Sequence, residues 1–185
     1  MKKFIDIHNH IIPYWDDGAK DWDMSLAMLR QAHEDGIVEV ICTPHILGEN
    51  DMAREDELID LYEQLQEKAR SAAIPIHIHL GAELYIQPVL NLERKISTLA
   101  QNKRYFLVEF SMSIIPEFVS QKFFELIMEN RIPIIAHPER YGAILENPER
   151  ALAFVEHGAL LQLNAGSLLG VFGSQVQKLA HQLMN

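Results

Sequence analysis

The sequence lacks the features that mark secreted and membrane-spanning proteins. It has one cysteine, so an internal disulfide framework is excluded, and this scarcity fits a reducing compartment. No apolar run approaches the ~18 residues of a membrane span. Asp6 interrupts the first apolar segment before the core of a signal peptide forms. The sequence therefore predicts a soluble, cytoplasmic protein.

Basic residues are also scarce. The chain has 16 Lys and Arg against 26 Asp and Glu, which gives a formal net charge of −10 at pH 7. Nucleic-acid binders normally carry a basic surface, so that class is disfavoured. An acidic protein can still act on a phosphorylated substrate where metal ions or arginines reverse the local charge. The length of 185 residues, 48% of them hydrophobic, predicts a single globular domain over residues 1–185.

Several catalytic motifs are missing as well. Gly166, Gly170 and Gly173 have neither the spacing of a dinucleotide fingerprint nor that of a P-loop, so we interpret them as loop residues. A thiol phosphatase needs an arginine six residues after its cysteine, and Gly48 stands there after Cys42. The chain also has no Gly-x-Ser-x-Gly nucleophile elbow. The thiol-phosphatase mechanism is therefore excluded, and the sequence gives no motif in favour of a nucleotide-binding or serine-nucleophile mechanism.

The pattern of apolar residues predicts an α/β protein. β-branched runs alternate with amphipathic segments, and the predicted strands are residues 4–8, 38–42, 76–80, 106–110, 133–136 and 160–163. The predicted helix starts are an N-cap at Asp21, a first position at Pro116 and an N-cap at Asn147. Six βα units in series predict a parallel sheet, either a barrel or an open doubly wound sheet. A full eight-stranded barrel needs about 200 residues or more, so this chain is short for one.

Potential metal ligands follow the predicted strands. The carboxyl ends of parallel strands carry the working residues of such folds, and the ligand-type residues at those ends are His8, His10, Asp17, His45, Glu83, Glu109 and His137. Imidazole and carboxylate together bind divalent Mn, Fe or Zn, and two or three such ions can hold phosphate oxygens and activate water. His77 and His79 lie at the opposite end of their strand, and we interpret them as structural or exposed.

Five motifs in order resemble the bacterial PHP-domain (polymerase and histidinol phosphatase) superfamily. They are Asp6-Ile7-His8-Asn9-His10, Asp16-Asp17-Gly18, Thr43-Pro44-His45, Gly81-Ala82-Glu83 and His137-Pro138-Glu139-Arg140-Tyr141. Together with the segment from Asn164 to Gly170, they are most similar to the manganese-dependent tyrosine-protein phosphatases of capsule and exopolysaccharide loci. The resemblance implies a distorted (βα)7 TIM-like barrel of the PHP type and a phosphotyrosine substrate on a bacterial tyrosine kinase.

The resemblance also implies a trinuclear metal centre, with Mn2+ as the ion and Fe, Zn, Co or Mg as alternatives. His8 and His10 would bind the first ion, which Glu83 would bridge to a second. Glu109 and His137 would complete the second site. Asp17 and His45 would bind the third ion, and Arg140 would bind the phosphoryl group.

The family pattern includes a seventh strand with an Asp-x-His motif, and this chain has only six βα units. We therefore expect a chain truncated at its C-terminus that keeps seven ligands and binds two or three ions. Two alternatives remain open from the sequence. One is a small-molecule phosphatase of the histidinol-phosphate type, and the other is a catalytically silent metal-binding or interaction protein.

Overall fold

The fold is described from a computed structural model, and the structure describes residues 3–184. It contains eight strands in this part of the chain: β1 (Phe4–Asn9), β2 (Ile37–Cys42), β3 (His45–Ile46), β4 (His77–Leu80), β5 (Glu83–Tyr85), β6 (Tyr105–Glu109), β7 (Ile132–Ala136) and β8 (Leu160–Gln162). The eight α-helices of the same part are α1 (Trp22–Glu34), α2 (Glu49–Met52), α3 (Glu55–Ser71), α4 (Val119–Met128), α5 (Gly142–Glu146), α6 (Glu149–Glu156), α7 (Ala165–Leu168) and α8 (Ser174–Leu183). Short 3-10 turns lie at Leu99–Gln101 and Pro138–Arg140. No helix between residues 3 and 184 is long and apolar enough to cross a membrane.

The predicted helix starts have different outcomes. The side chain of Asp21 accepts a 2.8 Å hydrogen bond from the backbone N–H of Met24, which confirms it as the N-cap of α1. The prediction for Pro116 was wrong, because α4 begins at Val119 and the Pro116 carbonyl instead accepts the Val119 N–H in a preceding turn. The prediction for Asn147 was wrong by one residue, because the N-cap of α6 is Pro148, although the Asn147 side chain accepts the N–H of Glu149, the first residue of α6, at 3.2 Å.

The chain forms two compact units. The first comprises Met1–Tyr85 and Asn91–Phe106, and the second comprises Ile86–Leu90 and Leu107–Asn185. The strand pairs within each unit are parallel. The prediction of an α/β fold with parallel strands is therefore confirmed, and the closed barrel stays a prediction.

The first unit contains a three-stranded sheet in the order β1-β2-β4. Its central strand β2 is flanked on both sides, and Val40 is paired with both Asp6 and Ile78. Leu29 of α1 and Leu58 and Leu65 of α3 are fully buried, because both helices present an apolar stripe to the core. The two helices therefore pack against this sheet, α1 against β2 and α3 against β4.

The sequence did not predict two short strands in this unit. The chain leaves β2 at Cys42 and forms β3 after two residues, and it leaves β4 at Leu80 and forms β5 after two residues. β3 pairs with β5 in parallel, with His45 opposite Glu83. Across these breaks the Cys42 carbonyl still accepts the Gly81 N–H at 2.9 Å, and the Pro44 carbonyl accepts the Glu83 N–H at 3.0 Å. The two connecting segments are therefore hydrogen-bonded to each other.

The second unit has an aromatic core. β7 pairs with β8 in parallel, with Ala136 opposite Gln162. Phe110 lies with its ring centroid 5.2 Å from that of Tyr141 and 6.1 Å from that of Phe123. The Tyr141 hydroxyl is buried in this cluster and accepts the Phe110 N–H at 3.0 Å. This bond joins the chain just after β6 to the segment that follows β7.

Candidate metal centre

Three histidines of the first unit converge on one buried carboxylate oxygen. Oε2 of Glu83 lies 3.1 Å from Nε2 of His8, 3.4 Å from Nε2 of His10 and 3.1 Å from Nδ1 of His45. The Glu83 side chain is fully buried, and the three imidazole rings are buried or half-buried. Four of the residues predicted from the strand ends are thus brought together.

The strand arrangement explains this convergence. His8 lies in β1, His10 follows that strand, and alternation along a strand sends side chains two residues apart to the same face. The β3–β5 pairing places His45 directly opposite Glu83. Neighbouring strands lie about 5 Å apart, which is close enough for paired side chains to reach a common ion.

Asn9 and Thr43 join the first two strand ends. The Asn9 N–H donates to the Thr43 hydroxyl at 3.0 Å, and that hydroxyl donates to the Asn9 carbonyl at 3.2 Å. The Asn9 side-chain amide donates to the Ile41 carbonyl at 3.1 Å. These bonds hold the polypeptide between His8 and His10 against the end of β2.

Asp16 is a site residue that the sequence analysis did not assign. Its Oδ2 lies 2.8 Å from Nδ1 of His10 and accepts the His45 N–H at 3.0 Å, while its Oδ1 accepts the Gly18 N–H at 3.0 Å. One carboxylate therefore orients two of the histidines, as the outer carboxylates of metal sites do. The signal in the sequence was that Asp16, an additional acidic residue, stands directly before the predicted ligand Asp17.

Gly18 is required for close approach of this loop. A Cβ atom there would lie 2.1 Å from the carbonyl oxygen of His10 and 2.4 Å from its Cβ. The Ala19 N–H donates to the same His10 carbonyl at 3.0 Å. The glycine in the Asp16-Asp17-Gly18 motif thus lets the loop pass against the backbone of a ligand residue.

Asp17 lies beside His45, at the outer side of the group. Its Oδ1 is 3.7 Å from Nε2 of His45, and its side chain is 86% exposed. Ligand atoms of His10, Asp17 and His45 all lie within 4.8 Å of one another. The structure thus brings together the five predicted ligands of the first unit, which we call the donor cluster: His8, His10, Asp17, His45 and Glu83.

The electrostatics of the cluster favour positive charge. Burial would lower the pKa of His10, but hydrogen bonds with Asp16 and Glu83 outweigh it and raise that pKa to about 10. Burial would raise the pKa of Asp16, but its bonds with His10 and with the backbone N–H groups of His45 and Gly18 lower it overall. The donors are imidazole nitrogens and carboxylate oxygens around one carboxylate, a set that fits divalent Mn, Fe or Zn.

The second unit holds Glu109, His137 and Arg140. Glu109 is the buried last residue of β6, and its Oε2 lies 4.0 Å from Nε2 of His137. His137 is buried and has a left-handed backbone with φ 35° and ψ 51°, which a non-glycine residue adopts only under constraint from its surroundings. The Arg140 N–H donates to the His137 carbonyl at 2.9 Å, which closes a tight turn between the two side chains.

Glu139, inside this turn, was not assigned a role by the sequence analysis. It is fully buried, and its Oε1 accepts the Asn164 N–H at 2.9 Å and the Ser167 hydroxyl at 2.6 Å. Its Oε2 is buried without a hydrogen-bond partner among residues 3–184. The carboxylate therefore joins the His137–Arg140 turn to the start of α7.

The residues that we interpreted as structural lie outside the donor cluster. His79 pairs with Glu39, with 3.0 Å between Nε2 and Oε2, and His77 is exposed. Cys42 is fully buried, and burial raises the pKa of its thiol to about 12. A thiol in that state is not a nucleophile at neutral pH.

A family profile and individual relatives identify the same protein family for this chain. The profile of the family "Capsular polysaccharide synthesis, CpsB/CapC" matches residues 4–185. Tyrosine-protein phosphatase YwqE of Bacillus subtilis is 37% identical over 185 residues, covering 97% of this chain and 72% of that protein. A putative tyrosine-protein phosphatase CapC of Staphylococcus aureus is 32% identical and covers 98% of this chain and 72% of its own length.

A solved structure agrees with these matches. It comes from a pair of crystal structures, YwqE of Bacillus subtilis and CpsB of Streptococcus pneumoniae, described as unique metal-dependent tyrosine phosphatases. It superposes on this chain with a TM-score of 0.91 at 36% identity, covering 98% of this chain and 74% of the other. The protein therefore belongs to the CpsB/CapC family of capsular polysaccharide synthesis.

Proposed function

We propose that this protein is a metal-dependent protein-tyrosine phosphatase. Its substrate is phosphotyrosine on a bacterial tyrosine kinase that regulates capsular or exopolysaccharide synthesis. The observation that carries the proposal is the convergence of His8, His10 and His45 on Oε2 of Glu83, at 3.1 to 3.4 Å. The names of the relatives, tyrosine-protein phosphatases YwqE and CpsB, support the substrate class.

The proposed metal ligands are the seven residues predicted from the strand ends: His8, His10, Asp17, His45, Glu83, Glu109 and His137. Five of them form the donor cluster of the first unit, and two form the buried pair of the second. Mn2+ is the proposed ion, with two or three ions per chain. The proposed architecture is one PHP-type domain with a distorted barrel, which the similarity to a metal-dependent relative supports.

Bound divalent ions would supply Lewis-acid stabilisation of the phosphoryl group and a water of lowered pKa. The chain's own residues have separate tasks. Asp16 holds the ring of His10 in one orientation through its 2.8 Å contact with Nδ1, so that Nε2 faces Glu83. Arg140 would bind the phosphoryl oxygens through its planar fork of N–H donors.

The state of Cys42 supports a mechanism without a cysteine nucleophile. A buried thiol with a pKa near 12 carries almost no thiolate at neutral pH. Its unpaired state also fits a reducing compartment, which supports the proposed cytoplasmic location.

The direct test is release of phosphate from a phosphotyrosine peptide with added Mn2+. We expect the wild-type protein to release phosphate, and we expect His8→Ala to lose about 100-fold or more of this activity. His77→Ala is the matched control, because His77 is an exposed histidine on β4 outside the donor cluster. This control is expected to keep wild-type activity.

Two other outcomes would contradict the proposal. Equal activity of wild type and His8→Ala would place the chemistry elsewhere. A faster reaction with a small alkyl phosphate than with the peptide would favour a small-molecule phosphatase. Metal analysis of the purified protein adds an independent check, since fewer than two tightly bound ions per chain would favour a catalytically silent metal-binding protein.

A further inference from the structure

A short loop in the second unit exposes three apolar side chains, and one of them, Phe172, lies against Arg140. The exposed fractions are 80% for Leu169, 70% for Val171 and 42% for Phe172. This segment, residues 169–173, follows α7, and we call it the apolar loop. Contiguous exposed apolar groups indicate a surface that contacts another molecule.

The apolar loop is held by specific hydrogen bonds. The Val171 N–H donates to the Gly166 carbonyl at 2.9 Å, and the Gln177 side-chain amide donates to the Leu168 carbonyl at 2.9 Å. Gly170 and Gly173 have φ of 82° and 94°, a conformation that favours glycine. The exposure of the apolar side chains is thus fixed by the backbone.

Glu139 ties the loop to the proposed phosphate-binding residue. Its carboxylate accepts bonds from Asn164 and Ser167 at the start of α7, and it immediately precedes Arg140 in the chain. The central carbon of the Arg140 guanidinium lies 4.4 Å from the centroid of the Phe172 ring. Glu139 thus connects Arg140 to α7, the helix that leads into the apolar loop.

We propose that Phe172 forms the wall against which the aromatic ring of a phosphotyrosine packs, while Arg140 binds the phosphate. This inference rests on the proposed function. A guanidinium held near an aromatic ring keeps its N–H groups available to oxygen acceptors. A phosphotyrosine side chain carries its anionic phosphate at the far end of an aromatic ring, so the cation and the apolar ring match its two parts.

This arrangement discriminates between phosphorylated residues. The aromatic ring of phosphotyrosine gains contact with Phe172 in addition to the phosphate contact with Arg140. Phosphoserine lacks that ring and carries its phosphate directly on the Cβ methylene group, so it keeps only the phosphate contact. Phe172 is therefore a specificity-determining residue, distinct from the metal ligands.

The experiment measures binding, so that it does not depend on turnover. The ligands are a peptide with a non-hydrolysable difluoromethylphosphonate analogue of phosphotyrosine and the same peptide with the matching difluoromethylphosphonate analogue of phosphoserine. The Mn2+-loaded wild-type protein is compared with Phe172→Ala, Phe172→Leu and Phe172→Tyr. Phe124→Ala is the matched control, because Phe124 is another half-exposed phenylalanine of the second unit, on α4.

We expect Phe172→Ala to weaken binding of the phosphotyrosine analogue by roughly tenfold, the effect of one lost aromatic pair. Phe172→Leu keeps apolar bulk without the ring and should be intermediate, while Phe172→Tyr should bind as wild type. Binding of the phosphoserine peptide should change by less than about twofold in every variant. Phe124→Ala should match wild type with both peptides.

Three results would overturn the inference. The first is unchanged affinity of both Phe172→Ala and Phe172→Leu for the phosphotyrosine analogue. The second is an equal loss of affinity of the Phe172 variants for both peptides. The third is a loss of affinity in Phe124→Ala equal to that in Phe172→Ala. The proposed function fails separately. A protein that binds the analogue in this Phe172-dependent manner but releases no phosphate would contradict the phosphatase proposal and leave the aromatic wall supported.

Discussion

The donor cluster of the first unit and the His137–Arg140 turn of the second are held by different interactions. In the donor cluster, three imidazoles face one carboxylate, and strand pairing sets their positions. In the turn, a residue with left-handed backbone is followed by a buried carboxylate that binds a neighbouring segment. The first region therefore depends on the charges of its side chains, and the second depends on its backbone and on one buried polar contact.

The largest effect is expected from Glu83→Gln. This change removes the charge on which His8, His10 and His45 converge and keeps the shape of the side chain. We expect at least one bound ion to be lost and phosphatase activity to fall by about 100- to 1,000-fold. Metal content and phosphate release measure these effects.

Glu39→Gln is the control for this change, because Glu39 also pairs with a histidine, His79, but lies outside the donor cluster. It should keep its full metal content. If both variants kept all their ions, charge would not be the feature that defines the first region.

A smaller effect is expected from Gly18→Ala. The added Cβ would lie 2.1 Å from the His10 carbonyl oxygen, so the loop that carries Asp16 and Asp17 must move. We expect metal affinity to fall about 10- to 100-fold, as when an outer contact of a metal site is lost. Titration with Mn2+ monitored by calorimetry measures the change.

Gly142→Ala is the matched control, since a Cβ there would lie an ordinary 3.5 Å from the Met112 carbonyl oxygen. It should bind Mn2+ like the wild-type protein. Wild-type affinity in Gly18→Ala as well would mean that the loop can move without disturbing the histidines.

The smallest effects come from two buried serines, one in each unit. Ser167→Ala removes a hydroxyl that donates to the buried carboxylate of Glu139 at 2.6 Å, and Ser25→Ala removes one that donates to the neutral Ile11 carbonyl at 2.7 Å. Because bonds to charged groups are stronger, we expect Ser167→Ala to lower the free energy of unfolding by about 2 kcal/mol and Ser25→Ala by about 1 kcal/mol. Denaturant unfolding measures both values, and the reverse order would contradict the role assigned to Glu139.

Much of the site could be predicted because its residues lie at or just beyond strand ends. The ends of β1, β6 and β7 follow from apolar runs, and His8, Glu109 and His137 lie at those ends. Residue type then indicated the metal chemistry, since imidazoles and carboxylates rarely collect at one set of strand ends without a functional reason.

The remaining features depend on contacts that periodicity does not show. The alignment of the segments after Cys42 and Leu80 depends on hydrogen bonds between parts of the chain far apart in sequence. The roles of Asp16 and Glu139 depend on which backbone N–H groups they reach in the folded chain. Local propensity does not indicate either role, although each acidic residue stands directly before a predicted site residue, Asp17 or Arg140, which was a usable signal.

The paired breaks in the first unit have a consequence for changes in chain length. The connections Thr43–Pro44 and Gly81–Ala82 are both two residues long, so the alignment of Cys42 with Leu80 continues unchanged to that of His45 with Glu83. A one-residue insertion or deletion in one connection alone would turn its ligand towards the opposite side of the strand. We therefore expect a one-residue change in the length of either connection to need a matching change in the other.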